Sequence, residues 1–208
     1  NATVTTTITL GDGAVLRNFG GMSAVRATGE AKLVMEPGSV IEDASSITRS
    51  KGDAGSVGPA GAVWLQGSDF EMENGAEIKN VNGRAVYADG GSVSVGGTIS
   101  GIIGNPAMWQ GKDGTAIHLR GSAKATLNGK ISDCTEGVLV FVDKAVFEMA
   151  TGSFLGNSDA AGIKTNEDPT WSLVNKDDYG TDRNTITIHG EISGIKNNKT
   201  PIQFKIGK

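Results

Sequence analysis

Four rings, each near the start of a short apolar stretch, are the residues of this chain best suited to bind a partner. Trp64, Tyr87, His118 and Phe141 each follow a turn glycine by a few residues and stand between aliphatic neighbours. Flat aromatic rings stack on sugar rings and anchor protein partners. If they are exposed, the four rings predict a binding strip.

A second interpretation is that the rings are covered. An insertion that carries Trp109 or Trp171 could fold over them and form a satellite core, or it could add its own tryptophan to a binding surface. Large exposed apolar patches are uncommon on soluble proteins, which favours a cover. The sequence leaves both interpretations open, and the exposure of the rings distinguishes them.

The carboxylates are too widely spread to predict a hydrolase site. Glu71 and Glu148 fall on equivalent strands three repeats apart, roughly 14 Å at the usual strand spacing, which is too far for a catalytic pair. Asp89, Arg120 and Asp143 follow the ring positions in three repeats. They predict one row of alternating charge, which is typical of a surface ion-pair ladder.

Metal sites have little support. His118 and His189 lie on different strands with no further histidine or cysteine partner, so zinc is not expected. The single cysteine, Cys134, excludes an intrachain disulfide and aligns with aliphatic residues of other repeats, which predicts a small core residue.

An acidic segment near the C-terminus is the one candidate for calcium. Asp177, Asp178 and Asp182 could supply oxygen ligands, and Ca²⁺ takes six to eight of them. The segment lacks the regular alternation of a calcium loop, so a solvated polar loop is the preferred interpretation. We expect no cofactor.

The elements that must position these residues are short strands. The chain of 208 residues has 31 Gly, only 5 Pro and no stretch with a clean helical stripe, which indicates frequent tight turns. Short alternating runs recur between the turns, as in Phe70-Glu71-Met72 and Phe147-Glu148-Met149. Alternation of this kind is typical of half-buried strands.

Glycines that open successive repeats indicate the architecture. They are Gly61, Gly83, Gly114, Gly137 and Gly162, with steps of 22, 31, 23 and 25 residues. A unit of this length with three short strands predicts a solenoid whose strands pair one turn away. We therefore predict an all-β, single-domain parallel β-helix over residues 1–208, with about seven to eight turns of three strands.

Strand alternation also predicts which side chains face outward. The aliphatic neighbours of the rings, such as Val63 and Val86, form the consistent set and are expected in the core. The four rings must then point outward as a ladder roughly 15 Å long. Arg26 and Lys164 are the candidates that flank it.

Three segments interrupt the repeat and are predicted to be extruded loops. They cover residues 48–60, 102–113 and 164–184. Loops that leave a solenoid often carry binding or catalytic residues.

The two ends of a solenoid expose unpaired strand edges. Residues 3–10 predict the first strand, and residues 201–206 predict the last. Lys199, Lys205 and Lys208 are expected to block edge-to-edge growth.

The repeat resembles that of a known group of proteins. Gly61-Ala62-Val63-Trp64-Leu65, Phe70-Glu71-Met72, Gly75 and Ile78-Lys79-Asn80 together look like the degenerate repeat of bacterial and archaeal adhesin-like surface proteins with pectate-lyase-like right-handed β-helix domains. The resemblance covers the chain from about Val4 to Ile206. It implies a right-handed β-helix, an extracellular or cell-surface location and membership of a larger chain. It implies the fold more closely than the function, because similar β-helices include lyases, glycosidases and phage tail parts.

Three functions are compatible with these patterns. The leading hypothesis is a non-enzymatic surface module that binds a glycan or a host or partner cell-surface protein through the ring ladder and the loops. The alternatives are a polysaccharide lyase or glycoside hydrolase with its site near residues 164–184, and a structural spacer of a larger surface protein. The formal charge of −4 gives no reason to expect nucleic acid, and no long apolar window predicts membrane insertion.

Overall fold

The structure is a computed structural model that describes residues 6–20, 23–45, 61–104, 114–165 and 184–203. Within these ranges the chain forms twenty strands and no helix, so none of these residues belongs to a helix that could cross a membrane. All pairings between the strands are parallel. The predicted all-β class is confirmed, and the pairing is compatible with a parallel β-helix-like fold.

Sheet A takes one strand from each repeat. With strands numbered in chain order, it consists of β1 (Thr6–Leu10), β4 (Ala31–Met35), β7 (Asp69–Met72), β10 (Ser92–Val95), β13 (Lys124–Leu127), β16 (Val146–Met149) and β18 (Thr185–Ile188). Each strand pairs with the sheet A strand of the next repeat. The alternating runs predicted as strands are therefore confirmed.

Sheets B and C take the other strands. Sheet B consists of β2 (Val15–Arg17), β5 (Val40–Glu42), β8 (Glu77–Lys79), β11 (Thr98–Ser100), β14 (Lys130–Ser132), the first half of β17 (Phe154–Thr165) and β19 (Glu191–Ile195). Sheet C consists of β3 (Val25–Thr28), β6 (Val63–Gln66), β9 (Arg84–Asp89), β12 (Thr115–Arg120), β15 (Thr135–Asp143), the second half of β17 and β20 (Ile202–Gln203). The long strand β17 runs through both sheets and joins them.

The core is built from columns of equivalent residues in neighbouring strands. One column of sheet B is aliphatic throughout and has partly buried ends, Leu16 and Ile192. The five residues between them are fully buried: Ile41, Ile78, Ile99, Ile131 and Leu155. Burial of one such side chain stabilises the fold by roughly 1.5–3 kcal/mol. The sequence repeat is thus a repeat of core positions.

The corner between sheets B and C has the same backbone conformation in each repeat. The residue after the third paired position of each sheet B strand has a φ between 48° and 67°: Asn18, Asp43, Asn80, Gly101, Asp133, Asn157 and Gly194. Asn, Asp and Gly adopt this left-handed conformation at the lowest cost, which explains why only these three types occur there. We call these seven residues the corner column.

Two predicted loop boundaries differ from the structure. The repeat continues through Gly104, because Ile102 is buried in the core and Ile103 bridges Asn82 and Thr135. At the third loop, strand β17 remains paired with β15 through Thr165. The alternating pattern is too short at these boundaries to be distinguished from a polar loop. Both loops were therefore predicted to begin too early.

Candidate functional site

The four rings lie in one column on the outer face of sheet C. Register pairing gives the order Arg26, Trp64, Tyr87, His118, Phe141 and Lys164. We call these six residues the ring column. It has the order that the repeat predicts, with Arg26 and Lys164 at its two ends.

Three pairs of neighbouring side chains in the ring column contact each other: Arg26 and Trp64, Tyr87 and His118, and His118 and Phe141. The ring centroids are 4.9 Å apart between Tyr87 and His118 and 4.8 Å apart between His118 and Phe141, with tilted planes. These distances are typical of attractive ring pairs. The guanidinium carbon of Arg26 lies 3.7 Å from the centroid of the Trp64 ring, within the range of a cation–π contact.

The rings are buried. Trp64 and His118 are each 7% exposed, Tyr87 is 4% exposed and Phe141 is 2% exposed. They therefore do not form an open strip on which a ligand could stack. Of the two interpretations drawn from the sequence, burial favours the covered one. Trp109 and Trp171, the tryptophans predicted to cover the rings or to bind with them, lie outside the described residues.

The central strands of sheet C, β6, β9, β12 and β15, are buried on both faces at the ring positions. The residues that point inward beside the rings, among them Val86 and Ile117, belong to the main core and are fully buried. Trp64, Tyr87 and Phe141 do not belong to that core cluster. The ring column is therefore a second apolar layer, separated from the main core by sheet C itself.

An ion-pair row runs beside the ring column. Asp89, Arg120 and Asp143 pair in register, and Nε of Arg120 lies 3.9 Å from Oδ2 of Asp143. The predicted ladder of alternating charge is confirmed. Burial raises the pKa of Tyr87, an effect opposed by its hydrogen bond to Arg120, and the same hydrogen bond raises the pKa of Arg120.

Sequence reasoning missed Arg84 as a neighbour of the rings. Its guanidinium carbon lies 5.5 Å from the centroid of the Tyr87 ring. Arg84 begins β9 directly after Gly83, so its position in the repeat could have indicated that it lies near the rings. It was missed because the equivalent residues in other repeats are not basic. Three arginines thus border the buried rings: Arg26, Arg84 and Arg120.

The carboxylates of sheet A are separated as predicted. Glu71, Ser94, Thr126 and Glu148 occupy one register column, so two strands lie between the two glutamates. Glu71 instead accepts a 2.6 Å hydrogen bond from the ammonium group of Lys32, and this bond raises the pKa of the lysine. The arrangement does not bring two carboxylates together for hydrolysis.

Cys134 is a core residue, as predicted. It is 2% exposed, and its Sγ lies 3.3 Å from the carbonyl oxygen of Ser132. Burial raises the pKa of its thiol to about 12, so the reactive thiolate is not populated at neutral pH.

The described ranges contain no group of three or more histidine, cysteine, aspartate or glutamate residues suited to a metal. His189 follows β18 directly, in sheet A, whereas His118 lies in sheet C. The weak calcium candidates, Asp177, Asp178 and Asp182, lie outside the described residues.

All three interruptions of the repeat adjoin sheet C. The described chain stops after Ser45 and resumes at Gly61, just before β6, and it stops after Gly104 and resumes at Gly114, just before β12. The third interruption begins after Thr165, where β17 ends in sheet C. Two of the insertions therefore lie where the chain enters sheet C, and the third lies where it leaves sheet C for sheet A.

Comparison of the chain with protein-family models, with curated proteins and with solved structures gives no match in any of the three.

Proposed function

We propose that this chain is a non-enzymatic surface module that recognises a glycan or a protein through the insertions beside sheet C. The observation that carries the proposal is their common position: three insertions from three repeats adjoin the same sheet. Insertions on one face of a solenoid are a usual way to build a binding surface on a rigid support.

The ring column supports this surface instead of forming it. Its four rings are buried, His118 contacts the rings of Tyr87 and Phe141, and Arg26 stacks on Trp64. Rings that already have partners within the protein are not free to stack on a sugar. Their role in the proposal is to make sheet C a stable base for the insertions.

The finer architecture is part of the proposal. We infer a right-handed, single-domain solenoid of about seven to eight turns, supported by the repeat length and by the seven aligned strands of sheet A. An extracellular or cell-surface location, within a larger chain, rests on the resemblance of the repeat to adhesin-like surface proteins.

The proposal is tested by measuring binding of the chain to glycan arrays and to intact cells. In three variants, residues 48–60, 105–113 or 166–183 are each replaced by a glycine-serine linker of equal length. We expect at least one replacement to weaken binding at least about tenfold, equivalent to about 1.4 kcal/mol, while the circular dichroism spectrum stays unchanged.

The control changes the opposite outer face. Ser94→Ala and Thr126→Ala alter half-buried polar positions on the outer face of sheet A and should leave binding unchanged. Binding that survives all three loop replacements but is lost with these two substitutions would place recognition on sheet A and contradict the proposal.

Enzymatic activity is tested separately. The chain is incubated with acidic and neutral polysaccharides, with and without Ca²⁺, and the products are assayed for unsaturated sugars and new reducing ends. We expect neither. Release of either product would replace the proposal with the lyase or hydrolase alternative.

A further inference from the structure

Three Asn-Gly pairs occur in the sequence, and each lies between two strands: Asn74-Gly75, Asn82-Gly83 and Asn128-Gly129. The asparagine of each pair is exposed. The backbone nitrogen that follows an asparagine can attack the side-chain amide carbon, and a following glycine favours this attack because it has no Cβ to hinder it. The three pairs have the same local chemistry, so a difference in their reactivity must come from the fold.

Two of the three glycine nitrogens are held by hydrogen bonds. The N–H of Gly83 donates to the carbonyl of Ile103, and the N–H of Gly129 donates to the carbonyl of Val95, each at 2.9 Å. Gly83 is also buried. An attacking nitrogen must lose its proton and turn toward the side chain, so at both positions a hydrogen bond must break first.

The peptide unit between Asn74 and Gly75 is held by no such bond. Within the described part of the chain, neither the carbonyl of Asn74 nor the N–H of Gly75 has a hydrogen-bond partner. Both residues are exposed. The turn is closed around them by the N–H of Ala76, which donates to the carbonyl of Glu73 at 3.1 Å. This peptide unit can therefore rotate without breaking a hydrogen bond of its own.

The missing partner follows from unequal turn lengths in neighbouring repeats. The N–H of Gly38 donates to the carbonyl of Gly75 at 3.0 Å, so the N–H of Gly75 would need an equivalent carbonyl in the next repeat. There, only Gly96 and Gly97 separate the strands of sheets A and B, whereas residues 73–76 separate β7 from β8. A Cβ at Gly97 would lie 2.2 Å from the carbonyl oxygen of Ala76, so the shorter turn packs below Gly75.

We propose that Asn74 is a modification site that converts spontaneously to aspartate and isoaspartate through a succinimide. The nitrogen of Gly75 loses its proton and forms a bond to Cγ of Asn74. The bond between Cγ and Nδ2 breaks, and Nδ2 takes up one proton and leaves as ammonia. Water, the only co-reactant, then opens the ring. Its attack at Cγ gives aspartate, and its attack at the main-chain carbonyl carbon gives isoaspartate.

The reaction changes both the charge and the length of this turn. The new carboxylate adds one negative charge to the formal net charge of −4, beside Glu73. In isoaspartate the main chain runs through Cβ and Cγ, which lengthens the turn by one atom. Because the turn joins sheets A and B, the proposal is independent of the recognition proposed for the insertions beside sheet C.

Peptide mapping of the full 208-residue chain tests the proposal. The folded chain is aged in mildly alkaline buffer, digested with trypsin at intervals and analysed by mass spectrometry. The three pairs fall in separate peptides, which end at Lys79, Arg84 and Lys130. We expect Asn74 to react at least about tenfold faster than the other two asparagines, a difference of about 1.4 kcal/mol in the barrier. Fragment ions locate the changed residue, and chromatography separates isoaspartate from aspartate.

Two controls separate the effect of the fold from that of the sequence. In urea the chain is unfolded, and the three pairs should react at similar rates. Asn74→Gln requires a six-membered ring, so position 74 should stay unmodified while Asn82 and Asn128 react as before. Circular dichroism checks that this variant is folded.

Four results would overturn the proposal. In the folded chain, Asn74 could stay unchanged, or Asn82 or Asn128 could react as fast as Asn74. The difference between the pairs could persist in urea, which would assign it to the sequence. Position 74 could also give aspartate alone, which would indicate direct hydrolysis of the amide without a succinimide.

Discussion

Sheets A and C belong to the same repeat, yet they use their outer faces differently. Sheet A presents polar and charged side chains such as Glu71, Thr126 and Glu148 to water. Sheet C presents rings at the equivalent place, and these rings are buried. Sheet A is thus half-buried, whereas the central strands of sheet C are buried on both faces at the ring positions.

The difference shows that one repeat contains both the core positions and a separate set of outer positions beside the insertions. The inward aliphatic columns of all three sheets form one buried core. The ring column adds a second buried layer only where the three insertions adjoin the stack. We therefore expect substitutions on sheet C to cost more stability than matched substitutions on sheet A.

The largest difference is expected between Phe141 and Glu148, which occupy outer faces of consecutive strands. Phe141→Ala removes a ring that is 2% exposed and should lower the free energy of unfolding by about 3–5 kcal/mol. Glu148→Ala changes an exposed side chain and should alter the free energy of unfolding by no more than about 0.5 kcal/mol. Urea denaturation measures both values. Equal effects would remove the contrast between the sheets.

Two turn glycines sharpen the comparison at the backbone. Gly137 has a φ of 78°, and an added Cβ would lie 2.1 Å from the carbonyl oxygen of Gly114, so backbone must move. Gly152, next to sheet A strand β16, has a φ of 86° but open space around its Cβ position. Gly152→Ala should cost about 1–2 kcal/mol for the left-handed conformation alone, and Gly137→Ala should cost more. The reverse order in urea denaturation would contradict this.

Alkaline pH should act on the ring column through Tyr87. Burial raises the pKa of its hydroxyl, so the folded state favours the neutral form. The resulting stability is complete below the pKa of the unfolded chain, about 10, and is lost as pH rises through the higher folded-state value. The thermal midpoint should therefore fall more steeply above pH 10 in the unmodified chain than in Tyr87→Phe. Parallel pH profiles would show that the hydroxyl contributes nothing.

The smallest effect concerns the exposed end of the ring column. Arg26→Ala removes the guanidinium that stacks on Trp64 and should lower the free energy of unfolding by about 0.5–1 kcal/mol. Arg26→Lys keeps the charge but loses the planar group, so its free energy of unfolding should lie between those of the unmodified chain and Arg26→Ala. An unchanged stability in Arg26→Ala would mean that the stacking is incidental.

Much of the fold could be predicted because the information is local and repeated. The alternating runs that predict strands, such as Phe70-Glu71-Met72, lie in sheet A as expected, and Cys134 lies in the core because its neighbours in the repeat are aliphatic. The rings were assigned to the correct face by alternation alone. Each of these predictions depends only on spacing within one repeat.

The exposure of the rings could not be predicted in the same way. Alternation says which side of a strand Phe141 occupies but not what else packs there, which depends on contacts between distant parts of the chain. The contact of Arg84 with Tyr87 was missed for a related reason, since it breaks the repeat pattern instead of following it. The spacing of residues within one repeat predicts the strands of the sheets. The burial of the rings depends on packing between distant parts of the chain.

The corner column allows the strand stack to lengthen or shorten by one whole repeat at a time. Because the same left-handed conformation recurs at each corner between sheets B and C, a whole repeat could be duplicated or deleted while the neighbouring strands keep their register. Each such event would change the stack by one strand spacing, about 4.8 Å. A single-residue deletion inside a strand would instead turn its side chains to the opposite face. Relatives of this chain should therefore differ by whole repeats. The lengths of their strand stacks would then differ by multiples of one strand spacing.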